Sequence, residues 1–110
     1  MRTLFGVILL AGALFSQAPQ PRTFTGQVTD SLCANGDHRS MRMGNTDAEC
    51  TRNCILSHGA QYVLFDGKDV YILGDQKAGE QYAGQKIEVT GVLDAKNGTI
   101  QNMTRVRAVK

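Results

Sequence analysis

Apolar and polar residues alternate along much of the chain, with the two-residue period of a β-strand that buries one face. The alternation is clearest in KIEVTGVLD, residues 86–94, where Ile87 and Val89 fall on the same face. TFTGQVTD, residues 23–30, alternates in the same way. GTIQNMTRVRAV, residues 98–109, is less regular. A β-bulge inside this last strand would explain the break in its pattern.

The segment QYVLFDGKDVYILGD, residues 61–75, contains two further apolar runs. Asp66 and Gly67 separate the runs, and an Asp-Gly pair in this position predicts a β-hairpin. A short helix is predicted after the hairpin, in QKAGEQYAG at residues 76–84.

A longer helix is predicted in DAECTRNCILSH, residues 47–58. Thr46 and Glu49 have the spacing of a capping box, which marks a helix start. Gly59 stands where a helix usually ends.

The order of these elements predicts the fold class. Five strands with a helix between the third and the fourth are the order of the OB-fold, a small and partly open Greek-key barrel. We therefore predict an all-β domain with small α insertions over residues 23–110. It would be a five-stranded OB-like barrel, with a cysteine-bearing helix between strands 1 and 2. An open antiparallel sheet or a small sandwich is the alternative.

The first residues have the plan of a secretory signal peptide. In residues 1–18, Arg2 precedes an apolar run, and small and polar residues follow it. The run is too short to span a bilayer as an anchor. Residues 19–22 are interpreted as a linker. We expect an exported protein, periplasmic or extracellular, with no membrane anchor after cleavage.

Charge and motifs argue against two classes of function. The formal net charge of +2 provides no strong field to attract nucleic acid, so no nucleic-acid partner is expected. The chain has no G-x-S-x-G, no H-E-x-x-H and no phosphate-loop motif. We therefore expect a protein that is not an enzyme. Its other partners are unknown from the sequence.

Four phrases of the sequence are similar to a known family. They are DSLC at 30–33, DAECTRNC at 47–54, GAQYVLFDGKDVY at 59–71 and YAGQKIEVTGVLD at 82–94. In this order they resemble short exported bacterial proteins that are classed as a domain of unknown function. The resemblance covers about residues 23–106 and implies a bacterial source, export and an OB-like barrel. It assigns no catalytic or binding residue.

Thiol, imidazole and thioether side chains are concentrated in one part of the chain. They are Cys33, His38, Met41, Met43, Cys50, Cys54 and His58. Cys50, Cys54 and His58 follow at four-residue steps, which places them on one face of the predicted helix. Asp30, just before this region, is interpreted as the cap of the following turn.

A disulfide is the first interpretation of this cluster. Export implies an oxidising compartment, in which three cysteines suggest one disulfide and one odd thiol. Cys33 would pair with Cys54 or Cys50, and Cys54 is preferred because it lies in the middle of the helix. Such a link would contribute about 3 kcal/mol to the stability of a small domain.

A soft-metal site for copper(I) or zinc is the second interpretation. Cys50, Cys54 and His58 would supply ligands from the helix, and one of His38, Met41 and Met43 would complete the shell from the loop. A redox-active thiol is the third, because the first turn of a helix lowers the pKa of a cysteine such as Cys50. We expect a small exported binding or structural module of unestablished ligand, stapled by one disulfide. A periplasmic soft-metal protein and a thiol-redox protein are the alternatives.

Overall fold

The computed structural model describes residues 18–110, so the predicted signal peptide lies outside the described residues except for Ala18. The described residues form five strands and two helices. They are β1 (Arg22–Asp30), α1 (Asp47–His58), β2 (Tyr62–Phe65), β3 (Val70–Leu73), α2 (Gln76–Gln81), β4 (Lys86–Asp94) and β5 (Thr99–Ala108). Within this part of the chain, no helix is both long and apolar enough to cross a membrane.

The five strands of the described region form one sheet that closes on itself. Their order around the ring is β1-β2-β3-β5-β4, and β4 pairs with β1. Neighbouring strands are antiparallel except β3 and β5, which run parallel with Ile72 opposite Thr99. Helix α1 connects β1 to β2, and α2 connects β3 to β4. The predicted mostly β domain with small helical insertions is confirmed.

The predicted hairpin is present between β2 and β3. Gly67 has a positive φ of 100°, which glycine adopts without the strain that a Cβ atom would cause. The Asp66 carboxylate accepts hydrogen bonds from the backbone N–H groups of Lys68 and Asp69, at 2.8 and 2.6 Å. The Asp-Gly signal therefore acts through both the backbone of Gly67 and the side chain of Asp66.

An irregularity interrupts the pairing of β4 with β5, as the broken alternation of the last strand predicts. The register shifts between Thr90 and Val92, which lie opposite Arg105 and Gln101. Asn102, in the extra stretch of β5, has a φ of 51°. This bulge allows β5 to continue along β4 after the shift.

The inside of the closed sheet forms the core. Its buried members are Phe24, Val28, Tyr62, Leu64, Leu73, Ala83, Ile87, Val89 and Ile100. Ile87 and Val89 are fully buried, which confirms the predicted inward face of β4. Burial of each large aliphatic side chain contributes about 1.5 to 3 kcal/mol.

Helix α1 has the predicted ends and packs on this core. The backbone N–H of Glu49 donates a hydrogen bond to the Thr46 hydroxyl at 3.1 Å, and Gly59 ends the helix with a φ of 64°. Ala48 and Ile55 pack against the core residues. The helix is therefore held beside the sheet, with its buried cysteines near the end of β1.

Candidate metal centre

A tight turn at the end of β1 positions Cys33. The Oδ1 atom of Asp30 accepts hydrogen bonds from the backbone N–H groups of Leu32 and Cys33, at 3.0 and 2.9 Å. When an aspartate side chain accepts hydrogen bonds from the next few backbone N–H groups, it forms a turn that needs no longer-range contact. The local sequence DSLC therefore places the Asp30 carboxylate and the Cys33 thiol near each other and out of solvent.

A second set of short-range contacts turns His38 inward. The Asn35 side chain accepts a hydrogen bond from the backbone N–H of Asp37 at 3.0 Å. The Asp37 carboxylate forms an ion pair with the Arg39 guanidinium at 2.7 Å. The hydrogen bonds from Arg39 lower the pKa of Asp37 to about 2. This ion pair stays at the surface, whereas His38 between its members is 2% exposed.

These two turns bring three potential metal ligands together. One ligand atom each from Asp30, Cys33 and His38 lies within 4.8 Å of the other two, and all three residues are buried. Nδ1 of His38 lies 3.9 Å from Oδ2 of Asp30. That separation is too long for a hydrogen bond.

Three polar atoms of this cluster lack hydrogen-bond partners among the described residues. Within residues 18–110, Oδ2 of Asp30 and both ring nitrogens of His38 are buried and unpartnered. Buried polar atoms are almost always hydrogen-bonded, and each one left without a partner costs about 1 to 3 kcal/mol. Three such atoms side by side therefore point to a ligand.

Helix α1 places two buried thiols next to the cluster. Cys50 and Cys54 are both fully buried. Burial raises the pKa of Cys54 to about 12, and the charge of Asp30 adds to this effect. Burial and Asp30 also raise the pKa of Cys33. The thiols of Cys33 and Cys54 therefore hold their protons at neutral pH, and a bound cation would displace those protons.

The sulfur of Cys50 is engaged by the loop that precedes α1. The backbone N–H of Met43 donates to Sγ of Cys50 at 3.2 Å, and the Cys50 thiol donates to the Met41 carbonyl at 3.3 Å. The Asn53 side chain donates to the carbonyl of Met43. Cys50 thus ties the loop to α1.

The other ligand candidates lie apart from the cluster. His58 is exposed, because each four-residue step along a helix turns by about 40° and His58 is two steps from Cys50. Met41 is 38% exposed, and Met43 is half-buried. The structure therefore groups Cys33 with His38 and Asp30. Cys54 is buried in α1, and its pKa responds to this burial and to Asp30 and Cys33.

Asp30 is the member of the cluster that was not predicted to be a ligand from the sequence. It does cap the following turn, as predicted, but only its Oδ1 atom is used for this. The spacing D-x-x-C-x4-H from Asp30 to His38 is the signal that could have revealed the group.

The three cysteines are free thiols in the described part of the chain. A disulfide of Cys33 with Cys54 or Cys50 stays a prediction.

Comparisons with protein-family models, with curated proteins and with solved structures found no match for this chain. The resemblance to exported bacterial proteins of a domain of unknown function stays a prediction. The function therefore has to be inferred from the geometry of the cluster.

Proposed function

We propose that this chain is an exported, non-enzymatic metal-binding module that holds one Zn²⁺ ion. Asp30, Cys33 and His38 would be ligands, and Cys54 would be the fourth. One observation carries the proposal. The His38 imidazole is buried beside the Asp30 carboxylate, and neither of its nitrogens has a hydrogen-bond partner among residues 18–110.

The distances in the cluster are close to those of a zinc shell. Zinc binds oxygen, nitrogen and sulfur at about 2.0 to 2.3 Å, so the corners of its tetrahedron are about 3.3 to 3.8 Å apart. Nδ1 of His38 and Oδ2 of Asp30 are 3.9 Å apart, and the Cys33 ligand atom lies within 4.8 Å of both residues' ligand atoms. Small side-chain rotations would close this arrangement around an ion.

The types of donor atom favour zinc over copper(I). Zinc accepts carboxylate, imidazole and thiolate together, whereas copper(I) prefers thiolates and thioethers. The cluster contains a carboxylate, and the Met41 side chain is at the surface. Copper(I), which the sequence alone also allows, becomes the second choice.

We also propose that the closed sheet is an OB-like barrel. Five strands in a ring, with α2 between β3 and β4, agree with that fold. The connection from β1 to β2 carries the cluster, and OB-folds bind ligands with this loop among others.

A disulfide-stapled structural module is the second candidate function. Its support is the burial of three thiols within one small region of a chain that is predicted to be exported. Zinc uptake after reduction of the thiols separates the two candidates. A protein that is only stapled shows no uptake, and the metal-binding form takes up one ion per chain.

The test is a competition titration of the reduced protein with Zn²⁺ against a chromogenic chelator. We expect one ion per chain, and a loss of affinity of more than about tenfold in His38→Asn and in Asp30→Asn. His58→Asn and Asp69→Asn are the matched controls, because they change exposed residues of the same types outside the cluster and its turns. Equal affinity in His38→Asn and His58→Asn would overturn the proposal.

A further inference from the structure

We propose that the metal site is redox-gated. The zinc ion and a Cys33–Cys54 disulfide would be alternative states of the same cluster, and oxidation of the two thiolates by a peroxide would release the ion. This inference rests on the proposed function, because it requires the bound ion.

A surface cleft gives access to the cluster at Cys33. It has a volume of about 360 Å³ and is lined by Leu32, Cys33, Asn35, Asp37, Ser40 and Met41. Cys33 is 5% exposed, whereas Cys50 and Cys54 are completely covered. A molecule as small as hydrogen peroxide would therefore reach the Cys33 sulfur first.

Cys54 is the partner that the hydrogen bonds of the two helix cysteines favour for Cys33. Burial raises the pKa of the Cys54 thiol, and the charges of Asp30, Cys50 and Cys33 add to this effect, which agrees with a place near them. The Cys50 thiol also interacts with Cys33, but its sulfur is hydrogen-bonded to the backbone of Met41 and Met43. A link from Cys33 to Cys50 would remove the thiol proton that Cys50 donates to the Met41 carbonyl, and a link to Cys54 would keep that hydrogen bond.

The oxidation can be written as two balanced steps. The zinc-bound thiolate of Cys33 attacks one oxygen of hydrogen peroxide, so the O–O bond breaks, a sulfenic acid forms and hydroxide leaves. The thiolate of Cys54 then attacks the Cys33 sulfur, which forms the disulfide and expels a second hydroxide. The two thiolates together lose two electrons and the peroxide gains them. Zinc keeps its charge and loses two of its four ligands, so it would leave for solvent.

The consequence is that the ion and the disulfide exclude each other. A dithiol reductant restores both thiols by exchange with the disulfide and becomes a disulfide itself. The site would then take up zinc again. An oxidising environment would therefore favour the zinc-free form with the Cys33–Cys54 disulfide, and a reducing environment would favour the zinc-bound form.

The test is to treat the zinc-loaded protein with hydrogen peroxide in the presence of a chromogenic zinc chelator. We expect one equivalent of zinc to be released, peptide mapping to show a Cys33–Cys54 link, and dithiothreitol followed by zinc to restore the loaded protein. Cys50→Ser is the matched control and should show the same release, link and recovery. Cys54→Ser lacks one proposed ligand, so it should bind zinc more weakly than the native protein, and peroxide should over-oxidise its Cys33 without recovery by dithiothreitol. Circular dichroism checks that both variants fold.

The possible failures are distinguishable. If the reduced protein does not bind zinc, the proposed function fails, and this inference fails with it. If zinc binds but peroxide leaves it in place, only the redox gate is overturned. The same holds if the mapped link joins Cys33 to Cys50, or if zinc is released without any disulfide.

Discussion

The hydroxyl of Thr29 donates a hydrogen bond to the backbone carbonyl of Cys33, 2.7 Å away. Both residues are buried, and the same carbonyl accepts the backbone N–H of Gly36 at 2.8 Å. Together with the Asp30 carboxylate, these contacts fix the turn that carries the Cys33 thiol. The strand end thus determines the position of one proposed ligand.

Thr29→Val tests this role, because valine keeps the shape of threonine and removes the hydroxyl. We expect the free energy of unfolding in urea to fall by about 0.5 to 1.5 kcal/mol, since the Cys33 carbonyl keeps its bond from Gly36. Zinc affinity should fall several-fold. Thr25→Val, on the exposed face of β1, is the control and should leave both quantities nearly unchanged. Equal effects of the two substitutions would contradict the prediction.

His38→Leu should change stability in opposite directions with and without metal. In the presence of a chelator, the variant removes two buried nitrogens that have no partner among the described residues, and the melting temperature should rise. With zinc at about one hundred times its dissociation constant, the native protein gains about 2.7 kcal/mol from binding. The variant loses most of that gain.

Thermal melts of both proteins, with chelator and with zinc, measure this reversal. His58→Asn is the control, since His58 is exposed. A lower melting temperature of His38→Leu in chelator would mean that the imidazole is an ordinary packed core group.

The pair of Asp37 with Arg39 predicts a pH dependence in the acid range. The pKa of Asp37 is lowered from 3.8 to about 2, first by the side-chain hydrogen bonds from Arg39. A lowered pKa in the folded state means that the pair stabilises the protein above pH 3.8 and loses this effect as the pH falls toward 2. The contribution is small, because the pair is at the surface.

Carboxyl chemical shifts followed by NMR across the acid range check this prediction. Arg39→Gln should move the Asp37 midpoint up from about 2 toward the ordinary value of 3.8, and the backbone hydrogen bond from residue 39 should keep it below that value. Asp66 is the internal control. Backbone hydrogen bonds from Asp69 and Lys68 lower its pKa, so its midpoint should not change in Arg39→Gln. An unchanged Asp37 midpoint in Arg39→Gln would show that the ion pair does not form in solution.

The strands and helices could be predicted because their signals are local. β4 occupies Lys86–Asp94 and α1 occupies Asp47–His58, the segments that periodicity and capping predict. The bulge in β5 was also predictable, since it breaks the alternation of the strand itself. The pairing of β3 with β5 joins residues far apart in the chain, so it could only be inferred by analogy with a known strand order.

The site could be predicted only in part, because it depends on how a loop folds. The concentration of thiols and imidazoles in residues 33–58 includes two of the three residues of the buried cluster, Cys33 and His38. The cluster itself depends on two successive turns, made by Asp30 and by Asn35 with Asp37. Those turns direct His38 toward Asp30. Sequence periodicity predicts the faces of helices and strands, so it could not predict the orientation of a side chain in this loop.

The parallel pairing of β3 with β5 has a consequence for the order in which the chain can fold. The ring of strands is incomplete until β5 has left the ribosome, because β5 is the partner of both β3 and β4. A nascent chain that ends at Lys96 leaves two strand edges unpaired, and long-range pairing of this kind forms slowly. The polypeptide should therefore stay incompletely folded until its synthesis is nearly finished, because only the last strand closes the ring.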